Sequence, residues 1–140
     1  MDYSTIMQDF QRISWDARKN PEEGCWERAS DLAIVIYNIM GQEDELKILK
    51  LIPDKGTLLK PAFLDTAWFY HYSVQWNKIV WDPSYGSPLD EQSYLPFAFC
   101  GYDKIKICRQ ELKKNQAIGC LQENRYPCST ACEKEPHDLP

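Results

Sequence analysis

The sequence predicts an α+β fold, with a central helix packed on a small antiparallel sheet. Three features lead there. "LAIVIYNIM", Leu32 to Met40, is apolar nearly all round, as a helix enclosed on most sides must be. "AWFYHYSVQW" sets Trp68, Tyr70, Tyr72, Val74 and Trp76 against Phe69, His71, Ser73 and Gln75, the alternation of a pleated strand. "KIVWDP" follows after a polar Asn-Lys pair, so the two segments read as a hairpin.

The 140 residues suit one domain with a modest core. Hydrophobic residues make up 44%, which sets the chain apart from disordered compositions. A formal charge of −5 argues against electrostatic nucleic-acid binding, and no DNA- or RNA-reading motif is present. No apolar run approaches the length that spans a bilayer, and charges interrupt the longest candidate on its N-terminal side. "MDYSTIMQDFQRIS" lacks a basic n-region and an apolar h-region, so no secretory signal peptide is expected. The expected location is the cytoplasm, or a target cell reached by a specialised secretion route.

In chain order, Ile6, Met7, Phe10, Ile13 and Ala17 recur at helical spacing, predicting an amphipathic helix over 5–19 that Ser4 caps. "NPEEG" breaks it. A second helix runs from Cys25 to Met40, and Gly41 is its left-handed stop. "ELKILKLIP" is a strand, and 53–65 is a loop with two prolines and a glycine. Residues 67–76 and 78–83 form the hairpin. The stretch 83–101 is loop with a short strand at "LPFAF". Over 102–118, "YDKIKIC" alternates like a strand while "CRQELKKNQ" looks helical. The tail from Gly119 has no clear periodicity.

The hairpin raises the chemical question. A two-residue turn at Trp76-Asn77 sets His71 opposite Asp82; a turn at Asn77-Lys78 sets His71 opposite Ser84 and Asp82 opposite Ser73. Either way His71 and Asp82 share one face, because opposed residues point the same way. A carboxylate there fixes the imidazole's orientation and stabilises its protonated form. Cys25 stands at a helix start, where unpaired N–H groups and the helix dipole favour a thiolate. Helix-start Cys, strand His and next-strand Asp form a nucleophile–base–orienter order. Taken singly, each has a bland reading: a buried Cys is usually a small core hydrophobe, and Asp before Pro is common in turns.

"GCWERASDL", "AWFYHYSVQW" and "WDPSYG" together resemble the bacterial protein-glutaminase (protein-glutamine deamidase) family. The shared features are a Gly-Cys-x-x-Arg-Ala helix start, a Trp-x-Tyr-His strand and an Asp-Pro-Ser turn. The resemblance implies a papain/transglutaminase-like fold, with the Cys helix packed on the sheet that carries His and Asp. It implies a catalytic triad of Cys25, His71 and Asp82, a thioester intermediate and no cofactor or metal. Trp68, Trp26 and Tyr70 are expected to bind substrate, although Trp68 either walls the cleft or merely packs. Arg28 matches the motif and is expected to pair with a carboxylate. The implied partner is a protein with an exposed glutamine, and an inhibitor or immunity protein is a further one. The catalytic domain would span 1–118, with 119–140 a Cys-containing tail of the same domain. A hairpin shorter than in the secreted enzymes and the lack of their prepro-region suit a bacterial effector or toxin. The same triad also suits a cysteine peptidase or a transglutaminase. Papain-like proteases carry Gln six residues before the cysteine, and Lys19 stands there instead, which weakens the peptidase reading.

Five of the six cysteines, Cys100, Cys108, Cys120, Cys128 and Cys132, lie in the C-terminal part. The even total invites disulfides, but with Cys25 set aside one of the five is unpaired, so the redox state is open. Cys120, Cys128, Cys132 and His137 would allow a non-enzymatic zinc module. Their spacing is loose for a structural site, and disulfides or reduced thiols are preferred.

Overall fold

The computed structural model describes residues 2–21, 24–40 and 46–111. Among them the protein is mixed α+β, with three α-helices and an antiparallel sheet. Helices α1 (Asp2–Lys19) and α2 (Cys25–Met40) precede strand β1 (Leu46–Ile52). A short β2 (Lys60–Pro61) leads to the hairpin of β3 (His71–Trp76) and β4 (Ile79–Trp81). Then come β5 (Leu89–Asp90), α3 (Glu91–Ala98), β6 (Phe99–Cys100), a 3-10 turn (Tyr102–Lys104) and β7 (Lys106–Glu111). Five strands lie in the order β5-β4-β3-β1-β7, every neighbour antiparallel, while β2 and β6 pair separately.

Both faces of the sheet are covered. On one, Ile6, Phe10 and Ile13 of α1 and Ala29, Leu32, Ala33 and Ile36 of α2 meet Ile48, Tyr72, Val74 and Trp76. On the other, Leu49, Leu51 and Val80 meet Trp68, Tyr94, Ala98 and Phe99. Every residue of β3 is therefore buried. Full burial of an aliphatic or aromatic side chain is worth about 1.5–3 kcal/mol, so Tyr72, Val74 and Trp76 anchor this central strand. His71, Ser73 and Gln75 point to the α3 side, and Tyr72, Val74 and Trp76 to the α2 side, as strand alternation requires.

The hairpin takes the second register, with Trp76 opposite Ile79 and Val74 opposite Trp81. Its two turn residues, Asn77 and Lys78, have φ of 54° and 64°. Two consecutive left-handed residues make the I′ turn that suits the twist of paired strands.

Several expectations need correction. Helix α1 begins at Asp2, so Ser4 lies inside it and is no cap. No Pro or Gly precedes Ile6 to stop the helix. The strand expected over 67–76 begins only at His71. Before it, Trp68 exchanges two backbone hydrogen bonds with Leu59 at 2.8 and 2.9 Å, outside the main sheet. The loop over 83–101 contains β5, α3 and β6, and "LPFAF" is mostly helix. Asp90 caps α3 by accepting from the Gln92 N–H at 3.0 Å, and that cap overrides the strand-like composition. Cys108–Glu111, read as helical, continues β7. The Gly41 stop, the domain boundary near 118 and the Cys120–His137 cluster lie outside the described residues.

Candidate active site

Gly24 sets the position of Cys25. Its φ of 86° is a left-handed value, and a Cβ there would come within 3.0 Å of Arg28 Nη1. Its carbonyl accepts the first helical bond, from the Arg28 N–H at 2.9 Å. Cys25 is thus the first residue of α2, at the positive end of the helix dipole. Arg28 secures this turn. Buried, it donates to Asp16 Oδ2 at 2.8 Å and to the Asn20 carbonyl at 2.9 Å, tying the start of α2 to the end of α1. The expected carboxylate partner of Arg28 is Asp16.

Strand β3 brings His71 to that helix start. The Cys25 thiol lies against the His71 imidazole, close enough for each to shift the other's titration, and the Tyr72 backbone also favours the thiolate. On its other side His71 meets Asp82, with Nε2 2.8 Å from Oδ2 and 3.0 Å from Oδ1. Because Nε2 belongs to Asp82, Nδ1 is the nitrogen turned toward the thiol. His71 is 2% exposed and Asp82 1%. Cys25 is only partly buried, which makes it the most exposed member of the row.

Burial alone would push the His71 pKa down. The charge of Asp82, its hydrogen bond and the Cys25 contact outweigh that and hold it up at about 10. For Cys25, burial pushes the thiol up, while the hydrogen bond and charge of His71 and the Tyr72 backbone pull it down. The net shift is downward. Both shifts favour one state, a thiolate beside an imidazolium.

Asp82 is held by more than His71. Its Oδ1 accepts the Ser84 N–H at 3.0 Å, a turn that the Asp-Pro-Ser order makes locally. Its Oδ2 accepts the Tyr94 hydroxyl at 2.5 Å, and Ser73 Oγ lies 3.4 Å from the same phenol oxygen. A buried carboxylate with three donor groups meets the condition under which its charge survives away from water.

Trp68 lies flat on His71, ring centroids 4.2 Å apart and planes 11° from parallel. Its indole N–H donates to the Pro21 carbonyl at 2.9 Å, and it is only 7% exposed. That position makes it the cover of the imidazole. Trp26 and Tyr70 are half-buried on the helix side, each edge-on to Tyr72 at 5.1 and 5.7 Å. Lys50 Nζ sits 5.3 Å from the Tyr70 ring centre. Lys19 is exposed and turned to Trp15, 5.2 Å from its ring centre.

Cys100 is a free, exposed thiol on β6, whereas Cys108 is disulfide-bonded. Among the described residues no cluster of three or more His, Cys, Asp or Glu could hold a metal. None of their helices is long and apolar enough to cross a membrane. Sequence reasoning missed Tyr94 and Phe99 as site residues, since 83–101 reads as loop with a short strand at "LPFAF"; the Asp90 cap is the one available signal for α3. No known family, curated protein or solved structure matches the chain.

Proposed function

We propose that the protein is a papain-like protein-glutamine deamidase that works through Cys25, His71 and Asp82. The observation that carries this reading is the continuous row from half-buried thiol to buried imidazole to buried carboxylate, with both shifts favouring the ion pair. The choice of a glutamine side chain as substrate rests on the resemblance in the Gly-Cys-x-x-Arg-Ala, Trp-x-Tyr-His and Asp-Pro-Ser segments. So do a role as a bacterial effector or toxin inside a target cell and an inhibitor or immunity protein as partner.

In the proposed reaction the Cys25 thiolate attacks the carboxamide carbon, and a C–S bond forms as the C=O electrons move to oxygen. The Cys25 N–H at the helix start is the proposed donor for that oxyanion. Such donors are worth about 2.7–4 kcal/mol each in enzymes where one was removed. The C–N bond then breaks, and His71 passes its Nδ1 proton to the departing nitrogen, which leaves as ammonia. A thioester remains on Cys25. His71, now neutral, takes a proton from water as the water attacks. The C–S bond breaks and glutamate is released. Asp82 keeps its Nε2 contact throughout, so the ring swings neither away from sulfur nor into the wrong tautomer. Trp26 and Tyr70, beside the helix start, are the proposed substrate contacts.

The test is mass spectrometry of candidate proteins incubated with wild type and with Cys25→Ala. The expected result is a mass gain at glutamine matching exchange of NH₂ for OH, with ammonia released by wild type alone. Cleaved peptides would instead assign a peptidase, and glutamine–lysine crosslinks a transglutaminase.

A further inference from the structure

We propose that Tyr94 is a positioning residue of this site: its phenol locks the Asp82 carboxylate so that both oxygens face the His71 Nε2–H. The proposal rests on the Cys25–His71–Asp82 reading above but not on which amide is hydrolysed.

The His71 Nε2–H is shared between the two carboxylate oxygens, at 3.0 and 2.8 Å. That geometry exists at one rotation of the carboxylate about its Cβ–Cγ bond. Two further donors define the rotation. The Ser84 N–H, two residues on, belongs to the same turn and moves with Asp82. The Tyr94 hydroxyl comes from α3 and ties the carboxylate to a separate element.

Helix α3 is itself fastened at both ends, to the hairpin at its start and to the turn after β4 at its end. The Glu91 N–H donates to the Lys78 carbonyl at 3.0 Å, and Gln75 Nε2 donates to Glu91 Oε2 at 2.8 Å. At the far end the Tyr85 hydroxyl donates to the Ala98 carbonyl at 2.5 Å. Between these anchors Tyr94 is 1% exposed, its ring edge-on to Phe99 at 6.1 Å. Burial and the nearby Asp82 charge push its phenol well above the ordinary value, so it stays a neutral donor. A neutral phenol supplies a hydrogen bond to a buried anion without adding a charge that would compete with the imidazolium.

The test uses Tyr94→Phe, which keeps the ring and its packing and removes only the donor. Alkylation of Cys25 by iodoacetamide is followed against pH in the full chain, carrying Cys100→Ser to remove the exposed free thiol. Peptide mass reads the label at Cys25. The expected result is a Cys25 profile whose acid limb moves to higher pH, with the rate on that limb down about tenfold, as loss of a hydrogen bond to a charged group implies. The acid limb rises because a less well held imidazolium supports the thiolate less. In an Asp82→Asn background the same substitution should change little, since its effect runs through the carboxylate. A profile superimposable on wild type, or an equal effect without Asp82, overturns the proposal. Should Tyr94→Phe not fold, fluorotyrosine at 94 keeps the shape and makes the donor more acidic; an unmoved acid limb then overturns it. A Tyr94-dependent thiolate without glutamine deamidation leaves the positioning standing and sinks the reaction class. Deamidation with an unmoved Tyr94→Phe profile sinks only the positioning.

Discussion

A tryptophan laid flat on a buried imidazole excludes water from the ring and offers its π-face to a cation. Trp68 does both for His71 at 4.2 Å, and its N–H fixes it to the Pro21 carbonyl. A cation over an indole face gains about 0.5–2 kcal/mol depending on desolvation. Trp68→Phe keeps a face and loses the Pro21 bond, so chemical denaturation should show about 1 kcal/mol less stability and activity should largely persist. Trp68→Ala should cost about 3–5 kcal/mol of stability, readable by chemical denaturation. A Trp68→Ala protein as stable as wild type would contradict this. The three triad candidates were legible at this scale. Face parity placed Asp82 with His71 whichever two-residue turn formed, and a cysteine after a helix-breaking Pro-Glu-Glu-Gly stretch marked a helix start. Trp68 was legible as an aromatic but not as the cover of His71. It was assigned to the strand's Tyr72 face, whereas the chain before His71 leaves the sheet.

At the scale of elements, the His–Asp pair depends on the Asn77-Lys78 turn, because a bulge or a three-residue loop would reverse the parity. Lys78 holds φ of 64° against the preference of an L-residue with a long side chain, and such a conformation costs about 1–2 kcal/mol. Lys78→Gly should therefore raise the denaturation midpoint modestly and leave Cys25 reactivity unchanged; a loss of stability would argue against the I′ turn. Gly24 is the opposite case. Gly24→Ala puts a Cβ against Arg28 at a left-handed backbone position, so it should destabilise by about 1–2 kcal/mol and displace the cysteine. Unchanged activity in that variant would mean the helix start does not aim the sulfur. Helix α2 was legible in both bounds because the Pro-Glu-Glu-Gly break precedes it and the apolar run ends at Met40, although only the face of Ala29, Leu32, Ala33 and Ile36 is fully buried, with Asp31 and Asn38 exposed. Helix α3 was not, since a Pro and two aromatics within eight residues give a weak helical pattern, and a single Asp cap decides the outcome.

For the whole molecule, the triad joins the two sheet faces, with α2 delivering sulfur from one and α3 bracing the carboxylate on the other. Its titration then shapes stability. His71 holds its proton in the folded state up to about 10 but in the unfolded chain only to 6.5, so its contribution is full below 6.5 and lost as pH rises toward 10. Cys25 runs the other way: its contribution is full above 9.0 and lost as pH falls through the lowered folded value. Where the windows overlap, folded and unfolded states bind equal numbers of protons at this pair and stability is flat. Cys25→Ala removes the compensation, so its stability should decline with pH from 6.5 upward, while that of wild type should decline only above 9.0; denaturation midpoints across pH compare them. Parallel slopes would contradict the coupling. The most direct measurement is the ultraviolet thiolate absorbance of wild type minus Cys25→Ser, followed across pH and repeated with His71→Ala. The account predicts thiolate well below the ordinary thiol range in wild type and a return to that range without the imidazole. Ordinary titration of Cys25 in wild type, or the same curve with and without His71, would contradict it.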